Sequence, residues 1–190
     1  RLTGVIRNNN QCNRMVNEQA QISLLLAAPG VLATLTFAPI IVSLFYSSEF
    51  RASVDILRWI CLGIALRVIS WPMGYIILAK GNSKLFFLTE LAWAIVNISF
   101  SWIFMKYFGL NGAGMAFFSS YIFHGFFVYL LVNKITGFFW SKEKIKTGII
   151  FVLSIGMAFY SHYLFSPLIS LVIGTLIFFL SAIYSLWILQ

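Results

Sequence analysis

From Val54 to Ala79 the chain is apolar almost without interruption, and an arginine, Arg67, stands near the middle of the run. At ~1.5 Å of rise per residue, a helix over this stretch is long enough to cross the ~30 Å hydrocarbon core of a bilayer. Arg67 then falls near the bilayer centre, where its insertion costs ~2.5–3.5 kcal/mol on translocon scales. A carboxylate partner, a wet cavity or an anionic ligand has to offset that cost. Gly63, Arg67, Ser70 and Gly74 follow spacings of four, three and four, so they share one small, polar helical face. Pro72 removes a backbone donor just past the arginine and predicts a kink there. Arg58 lies roughly opposite and near the helix end, where snorkelling to the interface is expected.

The rest of the composition agrees with a membrane setting. Hydrophobic residues make up 61% of the chain and charged residues 9%, with a mean hydropathy of +0.92, which excludes an ordinary soluble domain. The opening is polar, begins at Arg1 and lacks a signal-peptide pattern, so the chain reads as a piece of a longer one. Cys12 and Cys61 form neither a metal spacing nor a disulfide framework. A net charge of +8 taken alone suits a nucleic-acid partner, but the charges cluster in short connections between apolar runs and so carry topology instead.

The expected fold is all-α, a polytopic transmembrane bundle. Residues 1–19 read as a basic cytoplasmic lead-in, followed by spans at about 20–46, 54–79, 85–106, 112–132, 147–163 and 167–189. Pro29 and Pro39 interrupt the first span and mark further kinks. Connections on one side hold Arg1, Arg7, Arg14, Lys80, Lys84, Lys134, Lys142, Lys144 and Lys146, against Arg51 and Lys106 on the other. The basic side is expected to be cytoplasmic, with both ends of the chain on it.

Polar residues recur inside the later spans. Glu90, Ala94, Asn97 and Ser101 repeat the four-three-four spacing on the third, and Ala116, Ser120 and His124 follow on the fourth. Glu90 is expected to face the bundle interior and to interact with Arg67, directly or through water. Small and hydroxylic residues on membrane helices commonly serve packing, and Ser70, Asn97, Ser101 and Ser120 have that reading beside a functional one. His124 divides between structural hydrogen bonding and function, and His162 is expected to be solvated in an outer turn. Trp71, Trp93, Trp102 and Trp140 read as anchors or packing residues. The chain has no phosphate-binding loop, no H-E-x-x-H, no C-x-x-C and no G-x-S-x-G. Five carboxylates with only one inside a span supply no acid/base pair, so a transporter is expected rather than an enzyme.

Several segments carry a family resemblance. VNEQAQISLLLAAPGVLATLTFAP, LFYSSEF and LRVISWPMGYIILAKGNSKLFFLTE, followed by FGLNGAGMAFFSSY and GFFWSKE, resemble O-antigen translocases. These are polysaccharide flippases of the multidrug/oligosaccharidyl-lipid/polysaccharide exporter superfamily. The resemblance implies the C-terminal one of two bundles around a central cavity, with the N-terminal bundle missing here. It implies transfer of undecaprenyl-diphosphate-linked sugar repeat units from the cytoplasmic to the periplasmic leaflet of a bacterial inner membrane. Arg67 is the residue carried over for the diphosphate, in a cavity set of Arg67, Ser70, Glu90, Asn97, Ser101 and His124. Trp93 and Tyr121 join Asn97 and Ser101 as sugar-facing surfaces. The implied partners are the lipid-linked oligosaccharide, the bilayer and polysaccharide polymerase machinery, with no nucleic acid, no metal and no cofactor beyond a coupling Na⁺ or H⁺. Two other classes stay open: a Na⁺- or H⁺-coupled multidrug exporter in which Glu90 titrates, and a non-transporting scaffold. Repulsion by Arg67 weighs against a cationic substrate.

Overall fold

A computed structural model describes residues 8–46, 50 and 52–190. Its described residues form six helices: α1 (Asn9–Phe45), α2 (Ser53–Ala79), α3 (Ser83–Phe108), α4 (Asn111–Thr136), α5 (Lys142–Leu164) and α6 (Pro167–Leu189). All six are long and apolar enough to cross a membrane, and the chain is an all-α, multi-pass bundle. Of the charges used for topology, Arg1, Arg7 and Arg51 lie outside the described residues.

The turns follow from local chemistry. Asn8 caps α1 by accepting from the backbone N–H groups of Asn10 and Gln11, and Asn82 caps α3 by accepting from Leu85. α4 stops at Gly137, whose φ of 67° is a left-handed conformation that glycine adopts without a steric cost. Pro167 starts α6 at a position where its missing N–H is not needed. α1 runs through Pro29 and Pro39, and α2 through Pro72.

One boundary differs from expectation for a reason that local pattern could not reveal. Residues 9–19 of the polar lead-in are helical and continue into the first span as the first turns of α1. Their amides dock onto the α4–α5 connection. The Asn13 side chain donates to Thr136 O at 3.2 Å and accepts from Thr136 Oγ1 at 2.9 Å. The Asn17 amide donates to Phe139 O at 3.2 Å, and its oxygen accepts from Ser141 N at 3.0 Å. Polar residues that look like a solvated segment are here the pins that fix a connection more than 120 residues away. Likewise Lys142, Lys144 and Lys146, assigned to that connection by sequence, form the first turns of α5.

The core is built around α1, α2 and α4. Cys12 and Val16 of α1 meet Met73, Ile76 and Ile77 of α2 and Val128 and Val132 of α4 at one end. Nearer the other end, Leu32 and Leu35 of α1 pack with Cys61 and Ala65 of α2 and with Ile155 and Phe159 of α5. α2 lies closest to α4 because glycine lets the backbones approach. A Cβ at Gly114 would come within 2.7 Å of Trp59 Cβ and 2.8 Å of Ile56 O, contacts that real side chains do not make. α3 contrasts with all of this. It packs mainly on α4, and Thr89 is its one fully buried residue.

Candidate functional site

Arg67 sits in the part of α2 that faces α3 and α4. Its stripe-mates are packing residues: Ser70 is buried with its hydroxyl donated to Arg67 O at 3.2 Å, and Gly74 is buried beside Phe86 of α3. Arg67 itself is half-buried. Its guanidinium carbon lies 4.1 Å above the Trp71 ring, one turn further along α2, and 5.9 Å from the Tyr121 ring of α4. Stacking over aromatic faces steadies a guanidinium by ~0.5–1 kcal/mol at an exposed site and leaves its in-plane N–H donors available.

Glu90 does face the neighbouring helices, but its partner differs from expectation. Its Oε1 lies 3.4 Å from His124 Nε2, with the histidine almost fully buried and the carboxylate side chain 39% exposed. The contact is within ion-pair range without the alignment of a hydrogen bond, since both ring nitrogens of His124 lack a hydrogen-bonding partner. It becomes a charge pair when the imidazole takes a second proton. Arg67 has no carboxylate within ion-pair distance among the described residues. Of the two expected forms of the Arg67–Glu90 interaction, the direct pair is not made: Arg67 lies on Trp71 and Glu90 beside His124. Glu90, His124 and Trp71 line one cleft of about 160 Å³, closed by Gly74, Tyr75 and Phe86.

The remaining expected site residues divide. The Asn97 amide donates to Ser120 Oγ at 2.9 Å, and Ser120 donates in turn to Phe117 O at 2.8 Å. Those two residues are spent on tying α3 to α4, which is the packing reading. The tie matters to the site because it sets the antiparallel register that brings Glu90 opposite His124. Ser101 is half-buried further along α3, beyond Asn97 and away from the Glu90 cleft. Trp93 packs against Tyr121 with ring centroids 5.3 Å apart and the rings tilted by 43°, and its indole N–H is buried without a partner. Pro72 is buried one residue after Trp71, whereas Pro29 and Pro39 belong to α1, outside this cluster.

A second polar group escaped the sequence reading. Arg58 does not snorkel: its side chain is 12% exposed, and its Nη1 bonds Asp55 Oδ1 at 3.0 Å. His162 is not freely solvated either, since its Nδ1 lies 3.1 Å from Ser170 Oγ and its Nε2 is buried. The i,i+3 spacing of Asp55 and Arg58 was the one available signal.

The bundle defines a multi-pass α-helical membrane protein with a half-buried, carboxylate-free arginine at mid-helix. No family model matches the chain, and no curated protein matches it. A solved structure does resemble it: lipid II flippase MurJ in an inward closed conformation, at a TM-score of 0.70 and 19% identity over 100% of this chain. The chain spans 42% of that structure's length. At that identity the likeness establishes a shared fold.

Proposed function

We propose that this chain is one bundle of a flippase for lipid-linked oligosaccharides, with Arg67 as the group that receives the diphosphate. The observation that carries the reading is the state of Arg67. Its guanidinium is half-buried in a span and steadied on an aromatic ring, and among the described residues no carboxylate lies within ion-pair distance of it. An anion crossing a bilayer needs its charge matched, and a guanidinium fork suits phosphate oxygens. Shared fold with a lipid II flippase supports the same class of cargo. The sequence resemblance to O-antigen translocases narrows the proposed cargo to undecaprenyl-diphosphate-linked repeat units, moved from the cytoplasmic to the periplasmic leaflet of a bacterial inner membrane. Rocking of this bundle against a second one gives alternating access.

The Glu90–His124 contact favours H⁺ over Na⁺ as the coupling ion. An imidazole beside a carboxylate is a proton-accepting pair, whereas Na⁺ prefers a cage of oxygens. His124 then takes up the coupling proton from one side and releases it to the other, beside the Glu90 carboxylate in the cleft that borders the anion site.

The reading is tested by export of surface polysaccharide from cells carrying variants of the full-length transporter. Arg67→Lys keeps part of the export, because charge survives and the bidentate fork is lost. Arg67→Ala abolishes export at normal membrane abundance, and Arg67→Glu is at least as severe. Normal export by an abundant Arg67→Ala protein refutes the anion-site reading and leaves the arginine as a structural residue.

A further inference from the structure

A groove of about 290 Å³ runs between α1 and α5, away from the Arg67 cluster. Leu24, Ile69, Ile149, Val152 and Leu153 make its walls almost wholly apolar. Gly148 lines it too, and a Cβ built there meets no atom within 4 Å, so the groove reaches the α5 backbone. Ile149, Val152 and Leu153 are exposed. In a bilayer the groove therefore opens to hydrocarbon and takes a lipid chain.

One end of the groove has a different chemistry. α1 and α5 run in the same direction: Asn17 bonds Ser141 at the start of α5, and Leu32 and Leu35 pack with Ile155 and Phe159 further along. Gln21, Trp140 and Lys144 therefore share the end at which α5 begins. Lys144 is half-buried, between the exposed Lys142 and Lys146. Among the described residues no carboxylate lies within ion-pair distance of it. Its four-carbon stem lines the groove, and snorkelling carries the ammonium to headgroup level. Trp140 and Gln21 bring an indole N–H and an amide to the same end.

That polarity selects the occupant. From Lys144 to Leu153 the groove follows α5 for ~13.5 Å of helical rise, apolar below and cationic at its mouth. A free anion suits the lysine but leaves the apolar walls empty. A zwitterionic lipid fills the walls, yet its own ammonium offsets the pull of Lys144 on its phosphate. A lipid with a net negative headgroup meets both demands. Two other apolar grooves, between α5 and α6 and between α2, α4 and α5, have no Lys or Arg on their walls, so charge does not select the lipid that fills them.

We propose that the α1–α5 groove binds an anionic phospholipid of the adjoining leaflet, with one acyl chain along Gly148 and the phosphate at Lys144. The site does not depend on the role of Arg67 and stands if that arginine proves structural.

Native mass spectrometry of the detergent-released protein tests this, with palmitoyl-oleoyl phosphatidylglycerol and phosphatidylcholine as competing probes. Wild type should retain a first phosphatidylglycerol about fivefold better than phosphatidylcholine, the scale of one lysine near a membrane surface. Lys144→Gln preserves most of the stem and should bring the ratio close to one. Lys142→Gln, at the exposed neighbour, should leave most of the preference. Gly148→Leu fills the groove from a position with open space beside it, and should lower retention of both lipids while helicity and monodispersity persist. Three results overturn the proposal: equal retention of the two lipids by wild type, equal loss of preference in the Lys142 and Lys144 variants, or unchanged retention in Gly148→Leu.

Discussion

Arg58 and Arg67 stand nine residues apart on one helix, ~13 Å along its axis, and they have opposite fates. The one nearer the helix end is held by Asp55 and walled in by α1, α5 and α6. The one at mid-helix lies on Trp71, with no carboxylate among the described residues within ion-pair distance. Depth along a span, which a sequence reports, is thus a poor guide to how a charge is satisfied. The neighbouring helices decide it. An arginine with its own carboxylate contributes mainly to architecture, and one without is available to a ligand.

That contrast can be broken in the test tube. Arg58→Ala strands Asp55 and should destabilise the protein by ~1–3 kcal/mol; the carboxylate's 41% exposure keeps the loss below that of a fully buried pair. Thermal unfolding in micelles reads this, and replacing both members, Arg58→Met with Asp55→Leu, should restore most of the stability. Arg67→Ala should cost no more than the ~0.5–1 kcal/mol of its aromatic contact. Equal losses at the two arginines would erase the distinction.

A smaller effect is expected at Trp71. Trp71→Leu leaves the Arg67 charge but removes the surface that aims it, so export should fall about two- to fivefold, in line with a ~0.5–1 kcal/mol cation–π contact. Abundance should not change, and the effect should vanish in an Arg67→Ala background, which a double-mutant cycle measures. Smallest of all is Asn97→Leu, where loss of the Ser120 bond costs ~0.6 kcal/mol, the average for interhelical bonds in membranes. It reads as a shift in unfolding midpoint with export retained. A large export defect there would mean that Asn97 serves cargo and not register.

The six helices were legible because each is an apolar run bounded by turn residues and charges. The polar stripes also proved to face neighbouring helices. What local pattern cannot carry is the identity of a partner on another helix. Asn13 and Asn17 look like loop residues until Thr136, Phe139 and Ser141 are placed against them. Glu90 and Arg67 look like a natural pair because they have opposite signs on consecutive helices, yet His124 takes the contact from α4. His162 looks solvated because it closes a helix, yet its Nδ1 meets Ser170 and its Nε2 is buried. Each of these outcomes depends on helix rotation and register, which the Asn97–Ser120 tie and the glycine contacts between α2 and α4 fix in three dimensions.

The central claim is that Arg67 is reserved for a diphosphate while Arg58 is not. Native mass spectrometry of the protein with a polyprenyl diphosphate lipid tests it most directly, comparing wild type, Arg67→Ala and the Arg58→Met/Asp55→Leu double variant. Wild type and the double variant should retain the lipid to the same extent, weakening together as ionic strength rises, and Arg67→Ala should lose it. Retention by Arg67→Ala equal to wild type, or equal loss in the double variant, would contradict the claim.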